Sequence, residues 1–174
     1  MRHVTLTLAF CLLPAVLSAQ FARARVHPPG YQTQLALDTI GLPHEIAAPS
    51  AKVYRAVVAA FDELKIPLDT RDSVRGIVGN LDLVRRTSLA GSQLSRWVNC
   101  GSGITGPNAD NWRVYLSIAA LLDRLDANRT RLRIGMAGGA VDVQGNAKDP
   151  VVCVTTGSLE ALLVEKIARR AAGA

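Results

Sequence analysis

The chain reads as one two-layer α+β domain. A mainly antiparallel sheet of roughly four to six strands carries an N-terminal and a C-terminal helix on one face. Three observations predict this. A length of 174 residues with 49% hydrophobic and 20% charged side chains matches one globular domain and not a disordered chain. Apolar residues recur with a helical period in two places, after residue 49 and after residue 157. Between them the period falls toward two, interrupted only by short turns, and strands that follow one another through short turns pair antiparallel. The domain is placed at residues 49–172.

The first helix opens at Pro49-Ser50, with Ser50 as the expected N-cap. Val53, Val57, Ala60, Phe61 and Leu64 line one face, and Pro67 stops it. Ile66 and Leu68 begin a short strand, Thr70 to Ser73 turn, and Val74 to Leu83 form a second strand interrupted by Gly76 and Gly79. Leu94 to Cys100 is the third. Val114, Leu116 and Ile118 alternate with Arg113, Tyr115 and Ser117, and Leu132, Ile134 and Met136 alternate with Arg131, Arg133 and Gly135. Joined across Asp126 to Arg129, these runs predict a hairpin. After a turn at Gln144 to Pro150, Val151 to Thr155 is the last strand. Ser158 is the expected cap of the closing helix, with Glu160 in its first turn and Leu159, Leu163 and Ile167 as its stripe.

Residues 1–19 read as a secretory signal. Arg2 and His3 supply the positive start, Val4 to Leu17 are uncharged and mostly apolar, and Leu17-Ser18-Ala19 offers a small residue at the cut, which predicts Gln20 as the new N-terminus. The apolar run is shorter than the ~20 residues of a membrane span. Cys11 lies inside that run without a lipoprotein pattern, so lipidation is not expected. Residues 20–48, with His27-Pro28-Pro29-Gly30 and Gly41-Leu42-Pro43, show no sustained period and read as a flexible tether, with a short strand allowed at Gln34–Leu37. The expected location is outside the cytoplasm, periplasmic or secreted. Loss of the signal removes Cys11 and leaves an even pair, Cys100 and Cys153, expected to form a disulfide there.

Several chemistries are set aside on residue type. Gly101-Ser102-Gly103-Ile104-Thr105-Gly106 matches G-x-G-x-x-G, but Pro107 to Asn111 and then a strand follow, where a dinucleotide site needs a helix. The histidines, His3, His27 and His44, all precede the first helix, which removes a Ser-His-Asp or Cys-His site from the domain unless the tether folds back. No zinc site is expected, and no cofactor. Asp62/Glu63, Asp123/Asp126, Asp142/Asp149 and Glu160/Glu165 remain for acid–base hydrolysis, which needs carboxylates roughly 5–10 Å apart, and no spacing singles out one pair.

The formal charge is +6, and most of the basic residues are arginine, spread along the chain. Genomic base composition accounts for much of that, and a patch for an anionic partner is the alternative. If Leu116 and Ile134 face the helices, then Arg113, Tyr115, Arg131 and Arg133 share the other face, which nothing in the domain is expected to cover. The expected function is therefore a non-catalytic binding or structural role with this face as contact surface. The partner is an envelope protein or an anionic envelope polymer and not nucleic acid. A carboxylate-based hydrolase, or a small-ligand binder with a pocket between sheet and helices, is the alternative.

The stretch Val53-Tyr54-Arg55-Ala56-Val57 to Ile66-Pro67-Leu68-Asp69, followed by Asp72-Ser73-Val74-Arg75-Gly76-Ile77-Val78, resembles the unit found in BamC/NlpB-like envelope lipoproteins of bacteria. Cys100-Gly101, Gly106-Pro107 and Ala109-Asp110, with Val152-Cys153 and Gly157-Ser158-Leu159-Glu160, look like a group of exported bacterial proteins. The resemblance implies a two-layer fold and an envelope location, and it carries over no catalytic residue. The chain departs from the lipoproteins in having no lipobox.

Overall fold

The computed structural model describes residues 23–145 and 147–173. The signal segment, its cut before Gln20 and Cys11 lie outside the described residues. Seven strands form the main sheet: β1 (Pro43–Ile46), β2 (Thr70–Asp72), β3 (Ile77–Arg85), β4 (Val98–Asn99), β5 (Arg113–Arg124), β6 (Thr130–Val141) and β7 (Val151–Thr155). Their order is β2-β3-β5-β6-β7-β4, with β1 also pairing β6, and every pairing is antiparallel. Helices α1 (Ser50–Glu63) and α2 (Ser158–Ala172) pack together on one face. None of the described helices is long and apolar enough to cross a membrane.

The hairpin β5–β6 is the spine, paired over its full length from Arg113↔Val141 to Arg124↔Thr130. Its alternation does what the sequence pattern requires. Val114, Leu116, Ile118, Leu132 and Ile134 are buried toward Val53, Val57, Phe61 and Leu64 of the first helix segment and Leu159, Leu163 and Ile167 of α2. Trp97, 2% exposed, joins this core and donates its indole N–H to the Leu89 carbonyl at 2.8 Å. At the helix ends, Glu63 receives Lys166 at 2.6 Å and Arg170 at 2.5 Å, and the Lys166 hydrogen bond leads in holding its carboxyl below the usual range. Leu116 is only 1% exposed. Leu116→Ala is expected to cost about 2–5 kcal/mol, read from the urea midpoint, because little can collapse into the gap between sheet and helices.

Several local expectations shift. Thr70–Asp72 is a strand and not a turn, and the turn falls at 73–76. The Asp72 carboxylate accepts the Val74 and Arg75 amides at 3.0 and 2.8 Å, and Gly76 takes φ +63°, so the reversal comes after Asp72. The second strand therefore runs from Ile77 to Arg85. Leu94 to Cys100 is mostly not strand: a 3-10 turn at Leu94–Arg96 precedes the two residues of β4. Ser50 and Ser158 are first helical residues and not caps. Pro49 and Gly157 stand before them, and neither helix has a side-chain bond from its N-cap residue.

The largest difference is at the N-terminus. Residues 23–48, read as a flexible tether, lie against the sheet. Pro43–Ile46 adds the strand β1, and Arg23 to Ile40 form a strap across the face opposite the helices. Arg25–Val26 pair with Leu35–Ala36, and Ala24, Val26 and Leu37 are buried on Ile77, Ala119, Leu121 and Ala137. Arg23 ties the start down, reaching Asp123 at 3.0 Å and the Leu122 carbonyl at 3.1 Å. Glycine in β6 makes the approach possible. A Cβ on Gly135 would stand 2.5 Å from the Leu37 carbonyl oxygen, and one on Gly139 would stand 1.9 Å from that of Pro29. Strand glycines mark close backbone approach, and an aperiodic segment held by its main chain leaves no hydrophobic period to read.

Candidate functional site

The strap overturns the premise that nothing covers the second face. The register also divides the four residues placed on that face. Arg113 stands opposite Val141 and Tyr115 opposite Gly139, while Arg131 stands opposite Asp123 and Arg133 opposite Leu121. The two pairs sit toward opposite ends of the hairpin, six to ten strand positions apart, or about 20–33 Å at ~3.3 Å per residue. Alternation tells which face a residue occupies, but only pairing tells which end. Arg133 is half-buried and donates to the Gly41 carbonyl at 2.6 Å, so it anchors the chain entering β1.

The Arg113–Tyr115 end gathers other cations. Val114 pairs with Arg85, which puts Arg85 on the helix side of this end and the next residue, Arg86, on the side of Arg113. Among the described residues, none of the three pairs with a carboxylate within 4.0 Å; Arg85 donates only to the carbonyl of Val84, at 2.8 Å. At this end the strap leaves a cavity of about 310 Å³ over the sheet, lined by Arg25, His27, Pro29, Asp82, Tyr115 and Ser117 among others.

Cys100 and Cys153 are bonded, with Cα atoms 4.2 Å apart. The bond laces the segment after β4 to β7, where pairing is limited to Val154↔Asn99 and Thr155↔Val98. A buried structural disulfide fits an oxidising compartment. No protein-family model and no curated protein matches this chain.

A second concavity lies at the sheet edge. β1 and β7 pair the same edge of β6, at Thr130–Arg133 and at Gly138–Ala140, so Ile134 to Ala137 have no strand on that side. The first turns of α2 roof the gap and leave a cleft of about 450 Å³ lined by Leu42, His44, Ile134, Thr155, Glu160 and Val164, among others. Glu160 at the third helical position reaches back to Thr155, whose hydroxyl donates to its Oε1 at 2.5 Å and accepts the Gly157 amide at 3.0 Å. The pair ties the end of β7 to the first turn of α2 without bonding an amide inside the helix. Glu160 Oε2 is buried with no hydrogen-bond partner among the described residues. Sequence reasoning missed His44 here because it assumed the segment before residue 49 stayed off the domain.

Three of the carboxylates weighed for hydrolysis have other engagements. Glu63 serves Lys166 and Arg170, Asp123 serves Arg23, and Asp126 serves Arg129 at 2.6 Å. Among the described residues no group of three or more His, Cys, Asp or Glu converges as a metal site. After the glycine-rich loop comes one helical turn, Asn108–Asn111, too short to be the helix on which a dinucleotide pyrophosphate rests.

Proposed function

We propose that this is an exported, non-catalytic binding protein that meets an anionic envelope polymer through the Arg113–Tyr115 end of its sheet. The observation that carries the reading is a pair of guanidiniums without carboxylate partners among the described residues, Arg86 and Arg113, at the end of the sheet where a cavity is lined by Arg25, His27, Asp82 and Tyr115. Unpaired surface arginines of one sign raise the local concentration of a polyanion and dock its phosphate or carboxylate groups through paired donors. The formal charge of +6 acts in the same direction. Export rests on the signal-like segment, the disulfide and the resemblance to BamC/NlpB-like envelope proteins. The non-catalytic part rests on the engagement of Glu63, Asp123 and Asp126 in ion pairs with Lys166, Arg170, Arg23 and Arg129.

The test uses inorganic polyphosphate as probe, with the mature chain immobilised. Arg86→Ser with Arg113→Ser is expected to weaken binding, and to lower the slope of log affinity against log salt by about one for each arginine removed. Arg131→Ser, at the far end, is expected to change neither. Undiminished binding by the double variant, with unchanged thermal stability, removes this surface from the reading. A hydrolytic activity that disappears with a single carboxylate would overturn the non-catalytic assignment.

A further inference from the structure

We propose that the cleft between β1, β7 and the start of α2 is a separate binding site for a small amphipathic amine. Its volume of about 450 Å³ lies in the range of ligand-holding clefts. Leu42, Ile134 and Val164 supply an apolar wall for a hydrocarbon body. Leu42 is 76% exposed at the mouth, a large side chain with little protein to cover it. The polar groups converge from two elements: Glu160 and Thr155 from the α2 side, His44 from β1.

The choice of an amine follows from what those groups lack. Glu160 has no cationic partner among the described residues, and its Oε2 is buried without a donor. The His44 ring enters no hydrogen bond among the described residues, so a neutral imidazole there keeps one acceptor nitrogen free. The carboxyl torsion of glutamate is broad and roughly two-fold, so a small turn brings either oxygen to the cleft. An ammonium group carries three donors and no acceptor, which suits a carboxylate, an imidazole nitrogen and a hydroxyl together. A carboxylate or phosphate head would meet Glu160 as a like charge, and an alcohol would leave the carboxylate without its counter-charge. The site is at the opposite edge of the sheet from Arg86 and Arg113 and does not depend on the polymer reading.

The experiment compares octylamine, octan-1-ol and octanoate on the mature chain, following the resonances of Ile134, Ala161 and Val164. Octylamine is expected to give saturable shifts at these residues and to bind most tightly of the three. Glu160→Gln keeps a carbonyl oxygen for the Thr155 hydroxyl, so it is expected to fold normally while weakening octylamine about tenfold, the usual scale for a lost charge-assisted contact. Ala161→Phe, placed on the helix surface that lines the cleft, is expected to abolish binding by filling it. Octan-1-ol or octanoate binding as tightly as the amine overturns the proposal. So does octylamine affinity that survives Glu160→Gln or Ala161→Phe, and so does the absence of saturable shifts with octylamine. A fall in melting temperature of Glu160→Gln with unchanged octylamine affinity assigns Glu160 to the tie with Thr155 alone and likewise overturns it.

Discussion

Replacing Cys100 and Cys153 together with alanine is expected to destabilise the domain by about 4 kcal/mol, the chain-entropy value for a loop of this length. The two residues are 53 apart in sequence, and that loop contains the whole of β5 and β6. Cutting the bond releases a large unfolded-state loop. The native side has little to compensate, because β4 is two residues long and holds β7 through only Val154↔Asn99 and Thr155↔Val98. Both half-cystines are nearly inaccessible, at 3% and 2% exposure, so the loss is not offset by new hydration in the folded state. Urea unfolding of the mature protein with and without reductant measures it. The oxidised wild type is expected to unfold at a much higher midpoint than the reduced protein or the double variant, and those two should agree. Coincident midpoints for oxidised and reduced wild type contradict the prediction. The variant also bears on location, since a domain that depends on this bond folds well only where thiols are oxidised.

The elements read from sequence and those missed differ in how their burial is achieved. α1, α2 and the hairpin bury side chains, and Val53, Val57 and Phe61 or Val114, Leu116 and Ile118 write that burial into the chain as a period. The strap buries little by side chain, chiefly Ala24, Val26 and Leu37, and its fit depends on hydrogens at Gly135 and Gly139 on the other partner. That relation joins residues about a hundred positions apart and has no local signature. The turn at Asp72 moved for a related reason: its carboxylate caps the amides that follow, a side-chain choice that periodicity does not encode. For the candidate sites, alternation assigned Arg113, Tyr115, Arg131 and Arg133 to one face, but pairing register sent them to opposite ends. Arg86 entered beside Arg113 only once β3 was paired with β5. The cleft at Glu160 arises because two strands share one edge of β6, a property of topology and not of either strand.

Gly139→Ala is expected to dislodge the strap, with a loss of about 2–5 kcal/mol, comparable to emptying one large side chain from a core. The added methyl would sit 1.9 Å from the Pro29 carbonyl oxygen, a backbone atom that cannot rotate away, so the strap must lift or β6 must bend. β6 is paired on both edges at this point, with Tyr115 on one side and Val152 on the other, so the strap is the softer of the two. Lifting it uncovers Leu37, buried at 0% exposure over Ala119 and Leu121. Gly135→Ala meets the Leu37 carbonyl at 2.5 Å and is expected to act through the same displacement. The two changes should therefore be far from additive: once one has freed the strap, the second has little left to remove. Hydrogen exchange reports the event, because the Leu37 amide bonds the Ala24 carbonyl at 2.9 Å inside the strap, and a short two-stranded ribbon lifted off the sheet is too weak to hold that bond against water. That amide is expected to lose protection in either variant while amides of β5 keep theirs. Dislodging the strap also takes Arg25 and His27 out of the cavity beside Tyr115, so polyphosphate binding is expected to weaken along with stability. Full additivity of the two glycine substitutions, or unchanged protection at Leu37, would show that the strap is not held by this approach of backbone to backbone.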